Sequence, residues 1–295
     1  VLDLVLDLET QDPDDVLTLC LVACHPAVAL RAVTITPGAP AQVALVRHVL
    51  GRLERRDVPV GASDPGTGKD HVSGFHHKWL GTPPPAEPDG PADVVMAEAL
   101  TRHPEAVLLT GGPLHNLRRL LEGHANVRPV RWVAQGGFAG DNLVRPEHRL
   151  PKFEGLRHCP TFNFNGERTA AMLALSPESG IGRRELVSKN VTHGVRYDRE
   201  LHERLRPYRD RTAGLALIHA GMELYLRKRR AGKLLHDPTA ACAAIDPGIC
   251  GWAEVEMVRD GLAWGAEPTA GSGTFITVSL DRERLLSTFV GEPLG

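Results

Sequence analysis

Nine consecutive residues, Asp7-Leu8-Glu9-Thr10-Gln11-Asp12-Pro13-Asp14-Asp15, carry five carboxylates. One or two acids have an ordinary use at such a place, because a carboxylate at the first turn of a helix caps free amides and complements the helix dipole. Asp12 or Asp14 fits that use, but five acids exceed it. Carboxylates brought together raise one another's pKa unless a cation neutralises them. An oxygen-only ligand set suits a hard ion such as calcium or magnesium better than zinc. The turn therefore reads as a metal site.

Three further stretches combine reactive groups with turn residues. His236-Asp237-Pro238 sets an imidazole beside another carboxylate, although Asp237 also suits a helix cap. Thr110-Gly111-Gly112-Pro113-Leu114-His115-Asn116 follows an apolar run, and its glycines let main-chain groups face a ligand. Thr161-Phe162-Asn163-Phe164-Asn165-Gly166-Glu167 offers amides suited to sugar hydroxyls, though Asn-Gly alone marks a turn.

These stretches must be held by the elements around them. Residues 1–8 read as a strand, 14–25 as a helix, 28–36 as a strand and 40–56 as an amphipathic helix with Pro40 at its start. The alternation continues with a strand at 58–61, a helix at 91–103, a strand at 106–110, a helix at 114–122 and a strand at 130–134. Helical patterns return at 167–175, 212–229 and 281–290, with late strands at 252–258 and 274–280. Such alternation predicts an α/β fold, an open and mainly parallel sheet flanked by helices. No linker or repeat divides the chain, so one domain over residues 1–295 is expected. Residues 62–90 and 135–159 read as long loops, a length usually tied to function or mobility.

Composition narrows the partners. Lys plus Arg is 34 against 36 for Asp plus Glu, a net charge of -2, which argues for neither nucleic acid nor an anionic membrane. Hydrophobic residues make up 42% of the chain, which excludes disorder as the main state, and no apolar run is long enough to span a membrane. The opening Val-Leu-Asp-Leu has no basic region ahead of an apolar stretch, so no secretory leader is expected. Five scattered cysteines without a Cys-x-x-Cys pair suit a reducing, cytoplasmic setting.

In order and spacing the motifs resemble those of the inosine–uridine-preferring nucleoside hydrolase family, whose Asp-rich first turn ends in Asp-Asp. The matching pieces are Asp7–Asp15, Gly112–Asn116, Gln135–Gly137, Thr161–Asn163 and His236–Pro238, covering about residues 1–245. The resemblance implies an open α/β fold, one bound Ca2+ and hydrolysis of the N-glycosidic bond of a small-molecule riboside. It also implies a homo-oligomer, dimeric or tetrameric. Carried over by motif, Asp15 and Asp237 would bind calcium through carboxylates and His115 through its main-chain carbonyl. Asp14 and Asn163 would hold ribose hydroxyls, and His236 would sit near the leaving base. Four residues separate Glu9 from Asp14 where the family has three, so either Glu9 or Asp12 supplies the remaining ligand and base, with Glu9 favoured by its place at the strand end. Two sugar contacts differ: Gly38-Ala39 replaces Gly-Asn, and Thr161 stands where an acid grips the ribose 5′ hydroxyl.

The implied chemistry is coherent. Cleaving a ribosyl C–N bond builds positive charge on the sugar and negative charge on the departing base. Carboxylates suit the first, and the His236 imidazole, able to carry a proton near neutrality, suits the second. His71, His76 and His77 are rivals or substrate contacts, with His77 taken as the contact. Trp79 and Trp264 read as packing residues rather than base platforms. Two other readings compete. Asp7-Leu8-Glu9-Thr10, Thr110 and Lys189 approximate a haloacid dehalogenase-type phosphatase, which would release phosphate with magnesium. The altered sugar contacts Ala39 and Thr161 suit a non-catalytic riboside-binding protein, which a riboside would stabilise without turnover.

Overall fold

The computed structural model describes residues 1–293; Leu294 and Gly295, the end of the expected domain, lie outside the described residues. The strands are β1 (Leu2–Leu8), β2 (Val28–Ile35), β3 (Val60–Ala62), β4 (Val107–Thr110), β5 (Arg131–Gln135), β6 (Cys159–Pro160), β7 (Arg183–Val187), β8 (Arg196–Tyr197), β9 (Lys233–Leu234), β10 (Cys250–Asp260), β11 (Ala263–Pro268) and β12 (Thr274–Leu280). Ten of them form one sheet in the order β3-β2-β1-β4-β5-β7-β12-β10-β11-β6, and β8 and β9 make a separate antiparallel pair. From β3 to β12 every pairing is parallel, and the last three strands add antiparallel. The expected mainly parallel α/β sheet is present.

β1 is an interior strand, third in that order, and its residues Leu4 to Leu8 are buried on both faces, as an interior parallel strand with helices above and below requires. The helices Pro13–Cys24, Pro40–Arg52 and Ala213–Lys228 pack with β1 and β2 into one core, centred on Leu17, Val33, Leu45 and Met222. The helices Ala92–Arg102, His115–Gly123 and Arg168–Leu175 close the other face around Met96, Leu117 and Trp132.

Three of the structure's departures from expectation bear on the architecture. Residues 62–90 hold a helix, Gly74–Leu80, with Ser73 accepting a hydrogen bond from the Phe75 amide at its start. β7 was hidden by its charges, Arg183-Arg184-Glu185. They enter the sheet because Arg131 grips Glu185 through two nitrogens at 2.6 and 2.9 Å, and Arg184 donates to the Ser272 carbonyl and Thr274 Oγ1. β11 also went unread, because its Gly and Pro obscure the strand period that Trp264 and Ala266 carry inward.

In a parallel sheet the carboxyl ends of the strands share an edge, where ligands bind. Here that edge gathers Glu9 after β1, Gly111 after β4, Gln135 and Gly136 at β5, and Lys189 just beyond β7.

Candidate active site

These residues line one cavity of about 420 Å³, enough for a small ligand. Glu9, Asp12, Asp14, Asp15 and Asp237 form its floor. The acidic turn is shaped by ordinary helix chemistry: Asp12 precedes the helix Pro13–Cys24, and its amide donates to Asp15 Oδ2 at 2.8 Å. Asp14 reaches across the sequence, accepting from the amides of His236 at 2.8 Å and Asp237 at 3.3 Å. That carboxylate thus caps the helix His236–Ile245 and welds the two acidic motifs together. The seam is tight: a side chain on Gly111 would place its Cβ 3.0 Å from Asp237 Oδ2.

A lysine overlooked in the sequence sits inside the acidic cluster. Lys233 Nζ lies 2.7 Å from Asp12 Oδ2 and 3.1 Å from Asp14 Oδ1. Burial alone would pull its pKa down, but Asp14 and Asp12 outweigh burial and hold it above the usual lysine range. The signal was its place three residues before His236, in a chain whose five clustered acids needed a counter-charge. Lys233 divides the floor. Asp12 and Asp14 have an ammonium partner, whereas Glu9, Asp15 and Asp237 have none among the described residues.

The unpaired acids behave accordingly. Burial, then the charges of Asp237 and Glu9, push Asp15 well above its ordinary pKa. Burial, then Asp14, does the same to Asp237. Burial raises Glu9 to about 7, with Gln11 Nε2 at 3.3 Å partly opposing the shift. The charge of Asp237 disfavours an ionised Asp15, a repulsion that a shared proton or a cation would relieve. Among the described residues no group of three or more His, Cys, Asp or Glu side chains is already arranged as a metal cage. The donor chemistry nonetheless fits a hard divalent ion, since the ligands are all oxygen and a cation would relieve the repulsion.

Other expected residues are placed as follows. Asn163 lines the cavity, its Nδ2 donating to the carbonyl and Oε1 of Gln135 at 3.0 and 2.8 Å, which leaves its own oxygen free to accept. Beside it, Gly136 has no room for a side chain, because a Cβ would stand 2.7 Å from the Phe164 ring. The His115 imidazole turns away to Glu167 at 3.1 Å, into a separate cavity, which leaves the expected role of its main-chain carbonyl untouched, and Gly111 lines the site from the same turn. His77 does not line the cavity either. Its neighbour His76 is buried beneath, with Nε2 3.2 Å from the Asp12 carbonyl, and with the Thr10–His71 and Ser73–Thr10 hydrogen bonds it docks the long loop onto the acidic turn.

His236 lines the cavity with Nδ1 3.0 Å from Thr192 Oγ1, and its ring stacks edge-on with His193 at 4.6 Å. Burial, then the Lys233 charge, pushes His236 down to about 4, so the ring is neutral near pH 7 rather than protonated as the sequence suggested. Sequence reasoning missed His193 and the cavity-lining role of Phe162, which is 70% exposed at the rim. The phosphatase reading loses its nucleophile. Asp7 is fully buried away from the cavity, accepting from Thr34 Oγ1 at 2.7 Å and Asn116 Nδ2 at 2.8 Å. Trp264 is a packing residue, edge-on to Phe164 at 5.3 Å.

Comparison with known proteins agrees with this architecture. Residues 4–286 match the family model described as inosine-uridine preferring nucleoside hydrolase. A protein of Aquifex aeolicus is 30% identical over 293 residues, spanning 96% of this chain and 97% of that protein. A Schizosaccharomyces pombe protein is 24% identical over 287 residues, spanning 91% of this chain and 78% of that one. A solved plant nucleoside hydrolase superposes with a TM-score of 0.70 at 21% identity, covering 99% of each chain. The purine-preferring ribonucleoside hydrolase of Gardnerella vaginalis gives 0.69 at 19%, covering 98% of this chain and 97% of that one.

Proposed function

Because this chain belongs to the inosine-uridine preferring nucleoside hydrolase family and is thereby an N-ribosyl hydrolase, we propose that it acts as one domain, with calcium, to free the base from a ribonucleoside or related riboside. The observation that carries this reading is the trio Glu9, Asp15 and Asp237, three buried carboxylates without a counter-charge facing one cavity of nucleoside size. Asp15, Asp237 and Glu9 would hold the ion, which when bound supplies a grip on the ribose diol and acidifies a water.

Each remaining role is assigned to a residue of the chain. Glu9 takes the proton of the attacking water, and Asp12 is the poorer base because Lys233 holds its carboxylate. Asn163 accepts from a ribose hydroxyl through its free oxygen. Asp14 keeps lone pairs toward the cavity and fixes the position of Asp237. The clustered negative charge favours the positive sugar of the transition state over its neutral ground state. His236, as a neutral ring, offers an N–H to the departing base.

A cytoplasmic setting belongs to the same reading, supported by five cysteines that all stand as free thiols. Among the described residues no helix is long and apolar enough to cross a membrane. The test is release of free ribose from a panel of purine and pyrimidine ribosides, with and without a calcium chelator. Turnover that stops with the chelator and returns with calcium is expected. Ligand-induced thermal stabilisation with no ribose from any riboside would replace hydrolysis with mere binding.

A further inference from the structure

The roles assigned to the acidic floor leave another part of the cavity lining without a use, and that part is cationic. Lys189 lines it, with Nζ donating to the carbonyl of Pro160 at 2.8 Å. Lys152 Nζ stands 2.6 Å from Nδ1 of His193, another lining residue. Both ammoniums lie over the Phe153 ring, 4.8 and 5.7 Å from its centre, so one aromatic platform gathers them. They repel each other there, and neither has a carboxylate partner: the lysine–carboxylate pairs among the described residues are those of Lys233.

The second observation is a hydroxyl. Thr161 follows Pro160, is 1% exposed and lines the same cavity, yet its Oγ1 has no hydrogen-bond partner among the described residues. A buried polar group left unpaired in a folded chain is costly, and a ligand acceptor would satisfy it. A neutral nucleoside would leave the two ammoniums unanswered. An anion set against the five carboxylates of the floor would be repelled unless these cations held it.

We propose that this wall is an anion subsite, and that the substrate is a riboside carrying a phosphate or carboxylate, its ribose on the acidic floor and its anion against Lys189, Lys152 and Thr161 Oγ1. The assignment rests on the riboside hydrolase reading and narrows it to one class. Opposite charges on two parts of one cavity lining favour a single orientation of such a substrate.

The test compares kcat/KM for base release from inosine and uridine, from their 5′-monophosphates, and from a riboside whose base bears a carboxylate, in the wild type and in Lys189→Met, Lys152→Met and Thr161→Val. The wild type should favour one anionic class over the neutral parents by about tenfold or more, and each lysine variant should lower that ratio by roughly tenfold, the scale of one lost charge-assisted contact. The phosphate and carboxylate arms separate the two sources of the anion. Equal losses on neutral and anionic ribosides would overturn the subsite, as would a wild type that favours the neutral parents. If no riboside releases its base, the hydrolase reading fails, and calorimetric binding of ribose 5-phosphate against ribose then decides the subsite alone. Tighter binding of the phosphate that Lys189→Met abolishes supports it; equal binding of the two sugars overturns it.

Discussion

The acidic floor and the lysine-bearing part of the cavity carry opposite charge and are built differently. Asp15 and Asp237 on the floor are 2% and 5% exposed, with Asp15 accepting from the Asp12 amide and Asp237 donating its own amide to Asp14. Lys152 on the wall is exposed and Lys189 half-exposed, on long side chains anchored by a carbonyl and an aromatic ring. Low dielectric magnifies what buried charges do, whereas water screens exposed ones. On the proposed reading the floor therefore drives the reaction, and the wall tells one riboside from another. Damage to the floor should remove turnover outright, and damage to the wall should alter preference.

The hardest blow to that contrast is Asp15→Ala. It removes a carboxylate that has no counter-charge and also the acceptor of the Asp12 amide. Turnover should fall by roughly a thousandfold or more, and calorimetry should find divalent binding lost. Intact metal affinity in the variant would show that the floor holds its ion elsewhere.

Lys233→Met comes next and tests how the floor is divided. With the ammonium gone, Asp14 is left buried without its cation, a change worth about 2–4 kcal/mol of stability in urea unfolding. The share from Asp12 is small, because its side chain is half-exposed and water screens it. Turnover should fall by roughly tenfold to a hundredfold as Asp14 loosens its hold on the His236–Asp237 turn. A variant as stable and as active as the wild type would deny Lys233 any part in placing the acids.

The two walls were also unequally legible in the sequence. Most of the floor is a contiguous run at a strand end, and Asp237 could be joined to it because His-Asp-Pro is a local motif. The sheet was legible for the same reason, since apolar periodicity marks β1, β2 and β4 without reference to anything distant. Lys152, Lys189 and His193 have no shared motif and meet only because β7 pairs between β5 and β12. β7 itself was masked by charges whose partners, Arg131 and Ser272, lie far away in the chain. Side-chain direction was equally hidden: His115 matched its motif in position, yet its ring faces Glu167 in another cavity.

His236 stands where floor and wall meet, so its replacement should have an intermediate effect. His236→Ala is expected to slow poor leaving groups by roughly tenfold to a hundredfold, and to slow a riboside with an activated chromogenic leaving group far less. Because burial and Lys233 hold the ring near a pKa of 4, the wild-type rate should show no histidine titration between about pH 6 and 8. Equal losses on both substrates would remove His236 from leaving-group departure and leave it a packing partner of His193.

The smallest effect should come from a buried acid close to the floor that faces away from the cavity. Asp7 lies on β1 two residues before Glu9, which follows the strand, and burial raises both to about 7. Of the two, Glu9 lines the cavity, while Asp7 is closed in by Thr34 and Asn116 with its second oxygen unpaired among the described residues. The folded chain thus keeps a proton on Asp7 that the unfolded chain releases at the ordinary carboxylate pKa. The fold then loses stability as pH rises through the window from about 4 to 7. Asp7→Asn keeps the acceptor oxygen for Thr34 and Asn116 and removes the titration, at the cost of an unpaired amide in place of the unpaired oxygen. A gain of about 1–2 kcal/mol at pH 8 and little or none at pH 5 is expected from urea unfolding, with turnover within a few-fold of wild type. If instead the variant loses turnover as Asp15→Ala does, Asp7 is part of the reacting floor, and the line drawn between what faces the substrate and what supports it is misplaced.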